Sequence, residues 1–167
     1  MPFAYYNRLT RRQQSIYRAS DEIESLRLRD PKSIAGIAAQ LKAALEAEDQ
    51  KSTARLCNAL VTEICNGPGV PTVRVRVLKK RPSTAREELH GQYERTHSDR
   101  ANKPAEITVW MRTARRNQVV AFRTFLRTLL HELCHHLDYE FLKLEDSFHT
   151  EGFFKRESSL FKQIVRN

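Results

Sequence analysis

Apolar residues recur at helical spacing through the first part of the chain. Over residues 7–29 they return about every seven positions between polar residues, which predicts an amphipathic helix that ends at Asp30-Pro31. A second helix is predicted from Ser33, a candidate N-cap, with a pause near Glu48 and a continuation over residues 54–65. The NGPG stretch at 66–69 then ends the helical pattern.

The pattern changes to strand spacing after these glycines. In TVRVRVL three valines alternate with Arg74 and Arg76, which predicts a strand with one buried and one solvated face. EITVWM at residues 106–111 predicts a second strand. The polar stretch between them predicts mostly loop, in which HGQYE at 90–94 is a candidate for a short third strand. We expect these strands to form a small, mostly antiparallel sheet.

A long helix and a final helix are predicted in the last third of the chain. Apolar side chains form a broad face over residues 119–144, as expected for a core helix. Asp146 and Thr150 are both candidate caps for a last helix over residues 151–165. Helices at both ends of a small sheet predict an α+β fold, and the length of 167 residues predicts a single domain.

The composition is that of one folded, soluble domain. Hydrophobic residues make up 40% of the chain and charged residues 29%, and no apolar stretch is long enough for a signal peptide or a membrane span. The three cysteines, Cys57, Cys65 and Cys134, are odd in number and widely spaced, which argues against a disulfide framework. We therefore expect buried thiols, a cytoplasmic location and no membrane partner.

The net charge of +9 is spread unevenly along the chain. Residues 1–80 carry 14 basic and 8 acidic side chains, residues 81–118 carry 8 and 5, and residues 119–167 carry 7 of each. The densest basic run is RVRVLKKR at 74–81. A basic face can concentrate a polyanion such as nucleic acid, and a solubilising surface explains the same charge equally well.

Candidate chemistry is concentrated in HELCHHLD at residues 131–138, on the predicted long helix. His131 and His135 are four residues apart, so on a helix both imidazoles can reach one ion. Glu132 lies about 100° further round the helix, where it could hold a water on that ion and take its proton. The alternative is a structural helix whose histidines pair with Glu132 and Asp138.

A catalytic zinc ion takes a third protein ligand and keeps one open position. His149 is the leading candidate, because the chain can double back through LEDSFHTEGFF at 144–154. The acidic alternatives for the third ligand are Glu151, Glu157, Asp138 and Asp146. His90 and His97 lack a partner at ligand spacing, so we expect both at the surface. His136 points round the helix from His135, and we expect it at the surface or supporting a ligand.

Two further side chains near the motif have two interpretations each. Arg127, one turn before His131, could line the cleft and meet a substrate carboxylate, or it could be solvated. Tyr139, one turn after His135, could donate its hydroxyl to a developing oxyanion, or it could serve packing alone.

HELCH followed by a short connector and H-x-x-G-F-F resembles the compact zincin metalloproteases, most closely the SprT-like group. The similarity covers residues 105–161. It implies that His131, His135 and His149 bind zinc and that Glu132 is the base. Asp138 and Phe141 stand where metzincins have glycine and a third histidine, which excludes that group. No C-x-x-C pair follows, so the zinc ribbon of many SprT-like proteins is absent.

The sequence therefore predicts a minimal zincin-like zinc metallopeptidase that acts on a protein or peptide. We expect the peptide to lie along an edge strand at residues 107–111. An alternative from another class is a basic nucleic-acid-binding module with a structural or vestigial zinc site, and a DNA-associated protease would combine both. A hydrolase acting on non-protein amides is a third possibility.

Overall fold

The structure is a computed structural model, and it describes residues 1–81, 91–95, 104–114 and 116–165. A short 3-10 helix over Ala4–Arg8 comes first. The helices are α1 (Arg11–Asp21), α2 (Pro31–Glu46), α3 (Gln50–Asn66), α4 (Phe122–Glu140) and α5 (Glu151–Ile164), and the strands are β1 (Arg74–Lys80), β2 (Gly91–Glu94) and β3 (Glu106–Arg112). The predicted α+β class is confirmed. Both His90 and His97 lie outside the described residues.

The predicted helix over residues 7–29 is wrong in its second half. α1 begins at a capping box between Thr10 and Gln13 and ends at Asp21, and residues 22–30 form no helix. Leu26 and Leu28 both reach the core from this non-helical segment. The side chain of Gln163 on α5 accepts from the amide of Leu28 and donates to the carbonyl of Leu26. These tertiary hydrogen bonds favour the extended chain over a longer helix.

The predicted pause between the second and third helices is confirmed, but the predicted cap is wrong. Asp30, not Ser33, is the N-cap of α2: its carboxylate accepts from the amide of Ser33, and Pro31 occupies the first helical turn. Asp49 caps α3 in the same way. Glu48 has a φ of 57°, so it separates the two helices with a left-handed residue.

The three described strands form a mixed sheet in the order β1-β3-β2. β3 pairs in parallel with β1 over most of its length and antiparallel with the shorter β2. The predicted mostly antiparallel sheet is therefore wrong. So is the predicted edge position of residues 107–111, because β3 is the central strand. Its nearly continuous burial suits that position, and β2 forms one edge of the sheet.

α4 lies between the sheet and α5 and forms the centre of the core. It contacts β2, β3 and α5, and it ends at Glu140, four residues earlier than predicted. Lys143, with a φ of 55°, turns the chain back toward α5. Thr150 caps α5 through the amide of Phe153. Asp146, the other predicted cap, instead accepts from the amide of Ser147.

α5 packs closely against the end of α1. A methyl group at Gly152 would lie 2.5 Å from the carbonyl oxygen of Asp21, so only glycine fits there. The amide of Gly152 also donates to the Asp21 carboxylate.

All three cysteines are buried and free, as predicted for core thiols. Among the described helices, none is long and apolar enough to cross a membrane.

Candidate metal centre

The helical spacing of the HELCH motif brings two imidazoles together. His131 and His135 project from one side of α4, with ring centroids 5.1 Å apart. The return segment 141–149 then places the third ring. The Nε2 atom of His149 lies 3.1 Å from Nε2 of His131 and 3.0 Å from Nε2 of His135. The expected convergence of the three rings is present, and this group could hold a metal ion.

The acidic alternatives to His149 occupy other positions. Glu151 is exposed and pairs with Lys155 and the N-terminal amino group, and Asp146 contacts Ser147 and Tyr139. Glu157 lies against Nδ1 of His131, and Asp138 reaches Nδ1 of His135 only through the hydroxyl of Ser147. In the described part of the chain, no further histidine, cysteine or acid joins the three-histidine group.

Hydrogen bonds fix the tautomers of His131 and His135. Nδ1 of His131 lies 2.8 Å from a carboxylate oxygen of Glu157, which can only accept, so that nitrogen carries the proton. Nδ1 of His135 lies 2.7 Å from the hydroxyl of Ser147. That hydroxyl donates its one proton to the carboxylate of Asp138 at 2.7 Å, so it accepts from His135. Both Nε2 atoms therefore present lone pairs.

These lone pairs suit a shared cation better than a hydrogen bond. His149 Nε2 could donate at most one proton, yet two lone pairs point at it. Nitrogen ligands on tetrahedral zinc, at bonds of about 2.0–2.1 Å, lie about 3.3 Å from each other. The two separations from His149, 3.0 and 3.1 Å, are close to that value, and all three ligand atoms lie within 4.8 Å of one another. The donor set therefore fits a divalent ion that accepts imidazole.

A buried ion pair supports the His135 side of the group. Asp138 accepts from Arg156 of α5 at 3.0 Å, and both side chains are almost fully buried. Burial raises the pKa of Asp138 above its ordinary value, although the adjacent Arg156 guanidinium and the Ser147 hydroxyl oppose this shift. We assign an ionised carboxylate at neutral pH, because a buried arginine requires a counter-charge. Arg156 also donates to the carbonyls of Ser20 and Ile23, which links the end of α1 to the centre.

The three rings lie around the phenyl ring of Phe153, and burial keeps His135 and His149 neutral. The phenyl ring of Phe153 packs 4.7 Å from the His135 ring and about as close to the other two. Burial, with the neighbouring imidazoles of His131 and His149, lowers the pKa of His135 to about 3. Burial also lowers the pKa of His149. Neutral imidazole is the form that binds metal.

Glu132 is held in the gap between α4 and β2. Its side chain is buried, and desolvation raises the pKa of its carboxyl. A methyl group at Gly91 would lie 3.0 Å from Cγ of Glu132 and 2.8 Å from a methyl of Thr128. Glycine at this position of β2 therefore leaves room for the carboxyl group beside the sheet.

The sequence suggested that His136 lies at the surface or supports a metal ligand. The structure places it in neither position. It is almost fully buried, with Nε2 2.7 Å from the carbonyl of Pro71 and Nδ1 3.0 Å from the hydroxyl of Tyr93. Through these two hydrogen bonds His136 links α4 to β2 and to the loop before β1. The ring of Tyr93 lies nearly parallel to that of His135, with centroids 6.4 Å apart.

The two side chains with open interpretations have structural partners. Arg127 lies 3.6 Å from Glu157 and stacks over Phe161, so it holds the carboxylate that orients His131. The hydroxyl of Tyr139 donates to Asp146, while Arg95 covers its ring.

Three contributors to the centre were missed by the sequence reasoning. Ser147 bonds His135 directly, Arg156 bonds the Asp138 carboxylate that accepts from Ser147, and Gly91 makes room for Glu132. For Arg156, the sequence offered one signal, which is a charged residue on the apolar side of the last helix. The roles of Ser147 and Gly91 depend on contacts between distant segments.

Comparisons with protein-family models, with curated proteins and with solved structures found no match to this chain.

Proposed function

We propose that this chain is a zinc-dependent metallopeptidase of the HExxH type, with His131, His135 and His149 as ligands and Glu132 as base. The observation that carries the proposal is the convergence of three Nε2 atoms, two of them with lone pairs fixed by Glu157 and Ser147. A purely structural histidine cluster would not require the lone pairs of two rings to point at the third ring. Three imidazoles, with no fourth protein ligand among the described residues, match the ligand set of catalytic zinc centres.

A bound zinc ion supplies Lewis acidity, which lowers the pKa of a water molecule and polarises a carbonyl group. Glu132 takes the proton of the attacking water and delivers it to the leaving amine. Its raised pKa suits both tasks, because a carboxyl group with a higher pKa is a stronger base. Glu157 and Ser147 keep the protons of His131 and His135 on their Nδ1 atoms throughout.

The substrate peptide pairs with β2 in this proposal, and not with β3, because β3 has a neighbour on each side. β2 has one paired side and, among the described strands, no neighbour on the other. Its Gly91 contacts Glu132 and its Tyr93 contacts His135, so a strand added there passes close to the centre.

Replacement of Glu132 by Gln tests the proposal. The variant should bind zinc in the same amount as the wild type, measured by elemental analysis, and lose hydrolysis of an unfolded protein such as casein. Glu145→Gln, at an exposed acid paired with Arg12, is the matched control and should hydrolyse normally. Full hydrolysis by Glu132→Gln would contradict the mechanism.

The exposed face of β1 favours nucleic-acid binding as a second candidate function. Arg74, Arg76, Lys79 and Lys80 are all exposed along this strand. Binding to DNA or RNA that weakens steeply with salt, without any hydrolysis of casein, would favour this candidate over the peptidase.

A cytoplasmic location is part of either proposal, supported by three free thiols, which are typical of reducing compartments.

A further inference from the structure

A second feature of the surface lies directly beside the three histidines. An open cavity of about 890 Å³ runs between α5 and the extended segment 22–30. Phe3, Leu26 and Phe154 supply its apolar lining. Its volume falls in the range of about 300–1,000 Å³ that is typical of binding pockets.

One lining residue of the cavity, Phe154, also packs against the candidate metal centre. The ring of Phe154 lies 5.7 Å from the ring of His149 and 6.1 Å from that of His131, measured between centroids. Phe3 meets Phe154 edge to face at 6.2 Å. Both phenyl rings are about 40% exposed, at 41% and 39%, which leaves a large aromatic surface in water beside the ligands.

The N-terminal segment that carries Phe3 is held in place by hydrogen bonds. The amide of Phe3 donates to the hydroxyl of Tyr17, and the hydroxyl of Tyr5 donates to the carbonyl of His149 at 2.7 Å. The aromatic surface therefore has a defined position relative to the ligands, as a binding pocket requires.

The far end of the cavity is basic. Lys155 is neutralised near the middle by Glu24 and Glu151. Arg27 and Lys162 also line the cavity, and in the described part of the chain neither has an ion-pair partner. A ligand that is apolar near the histidines and carries a negative charge further along would complement both ends.

We propose that this cavity binds the substrate peptide on one side of the scissile bond. It takes an aromatic or large aliphatic side chain against Phe3 and Phe154, and an Asp or Glu side chain toward Arg27 and Lys162. This inference rests on the proposed peptidase function and adds the class of peptide that the centre cleaves. The exposed aromatic surface then becomes covered only when substrate is bound.

Cleavage of a mixed set of short peptides, with the cut sites read by mass spectrometry, tests this specificity. Cut sites of the wild type should carry an aromatic or large aliphatic residue at one fixed position, followed at a distance by an acidic one. Phe154→Ala should reduce the preference for the apolar residue about 10-fold, as expected for loss of hydrophobic contacts in a pocket. Lys162→Glu should remove the acidic preference alone.

Phe141→Ala is the matched control, because Phe141 is equally exposed, at 44%, but does not line this cavity. It should retain both preferences. Cleavage by the wild type without these preferences, or with preferences that Phe154→Ala leaves unchanged, would overturn the inference while the peptidase function stands.

A binding measurement separates the inference from the function. Zinc-loaded Glu132→Gln should bind a fluorescent peptide containing Phe and Glu more tightly than one containing Ala and Lys, as followed by anisotropy. When Phe154→Ala is combined with Glu132→Gln in one chain, the difference in affinity between the two peptides should disappear. If the wild type cleaves no peptide, the proposed function fails, and the binding difference still decides the cavity: its presence supports the inference and its absence overturns it.

Discussion

Single side chains behind His131 and His135 decide which nitrogen each of these two rings presents. Glu157 and Ser147 are each within 2.8 Å of an Nδ1 atom, and neither belongs to the HELCH motif. Such partners of metal ligands set the ring tautomer and its orientation, and their loss typically lowers metal affinity about 10- to 100-fold. The motif alone therefore describes only part of the centre.

Replacement of Ser147 by Ala tests this role. The variant leaves Nδ1 of His135 without an acceptor and frees the ring to rotate, so zinc affinity should fall about 10- to 100-fold. Competition with a chromophoric chelator measures it. Ser159→Ala, at a hydroxyl that contacts the Leu26 carbonyl, is the control and should bind zinc like the wild type. Equal affinity for both variants would show that Ser147 does not orient the ligand.

Strand β2 is the secondary-structure element on which the chemistry of Glu132 depends. It is four residues long, and it lies against α4 through Gly91 and Tyr93. The two elements approach closely enough that a Cβ at Gly91 would fit only if the side chains of Thr128 and Glu132 moved. Small displacements of this strand therefore act directly on the position of the carboxyl group.

Replacement of Gly91 by Ala should separate β2 from α4 and displace Glu132. Hydrolysis should fall about 10- to 100-fold, since misplacement of a catalytic group by about 1 Å has effects of this size. Zinc content should remain unchanged, because none of the three ligands contacts Gly91. Gly36→Ala is the control: its Cβ would meet nothing within 4 Å, so this α2 variant should retain full activity. Unchanged hydrolysis in Gly91→Ala would contradict the proposed place of β2.

At the scale of the whole molecule, the candidate centre joins segments that are distant in sequence. α4 supplies two rings, the return segment 141–149 supplies the third, and α5 supplies Glu157 and Arg156. Arg156 extends the network to the end of α1. An ion bound by the three rings would therefore stabilise the folded molecule and not the helix alone.

Zinc should raise the thermal midpoint of unfolding. At a free concentration 1,000 times the dissociation constant, the ion adds about 4 kcal/mol to the free energy of unfolding. For a chain of this length that corresponds to a shift of about 10 °C. Differential scanning calorimetry measures the shift, which EDTA should reverse and His149→Ala should largely remove. An equal shift in His149→Ala would contradict the assigned third ligand.

The sequence by itself determined the elements whose side-chain pattern is local. The valine alternation of β1 and the four-residue spacing of His131 and His135 follow from strand and helix periodicity, which neighbouring residues alone express. Thr150 could be recognised as a cap for the same reason. Tertiary structure decided whatever depends on distant partners. Gln163 and Arg156 stop α1 near Asp21, and hydrogen bonds from segments far along the chain fix the tautomers of the ligand rings. The central position of β3 likewise depends on which strands pair, because pairing energy comes from non-local neighbours that no short stretch of sequence contains.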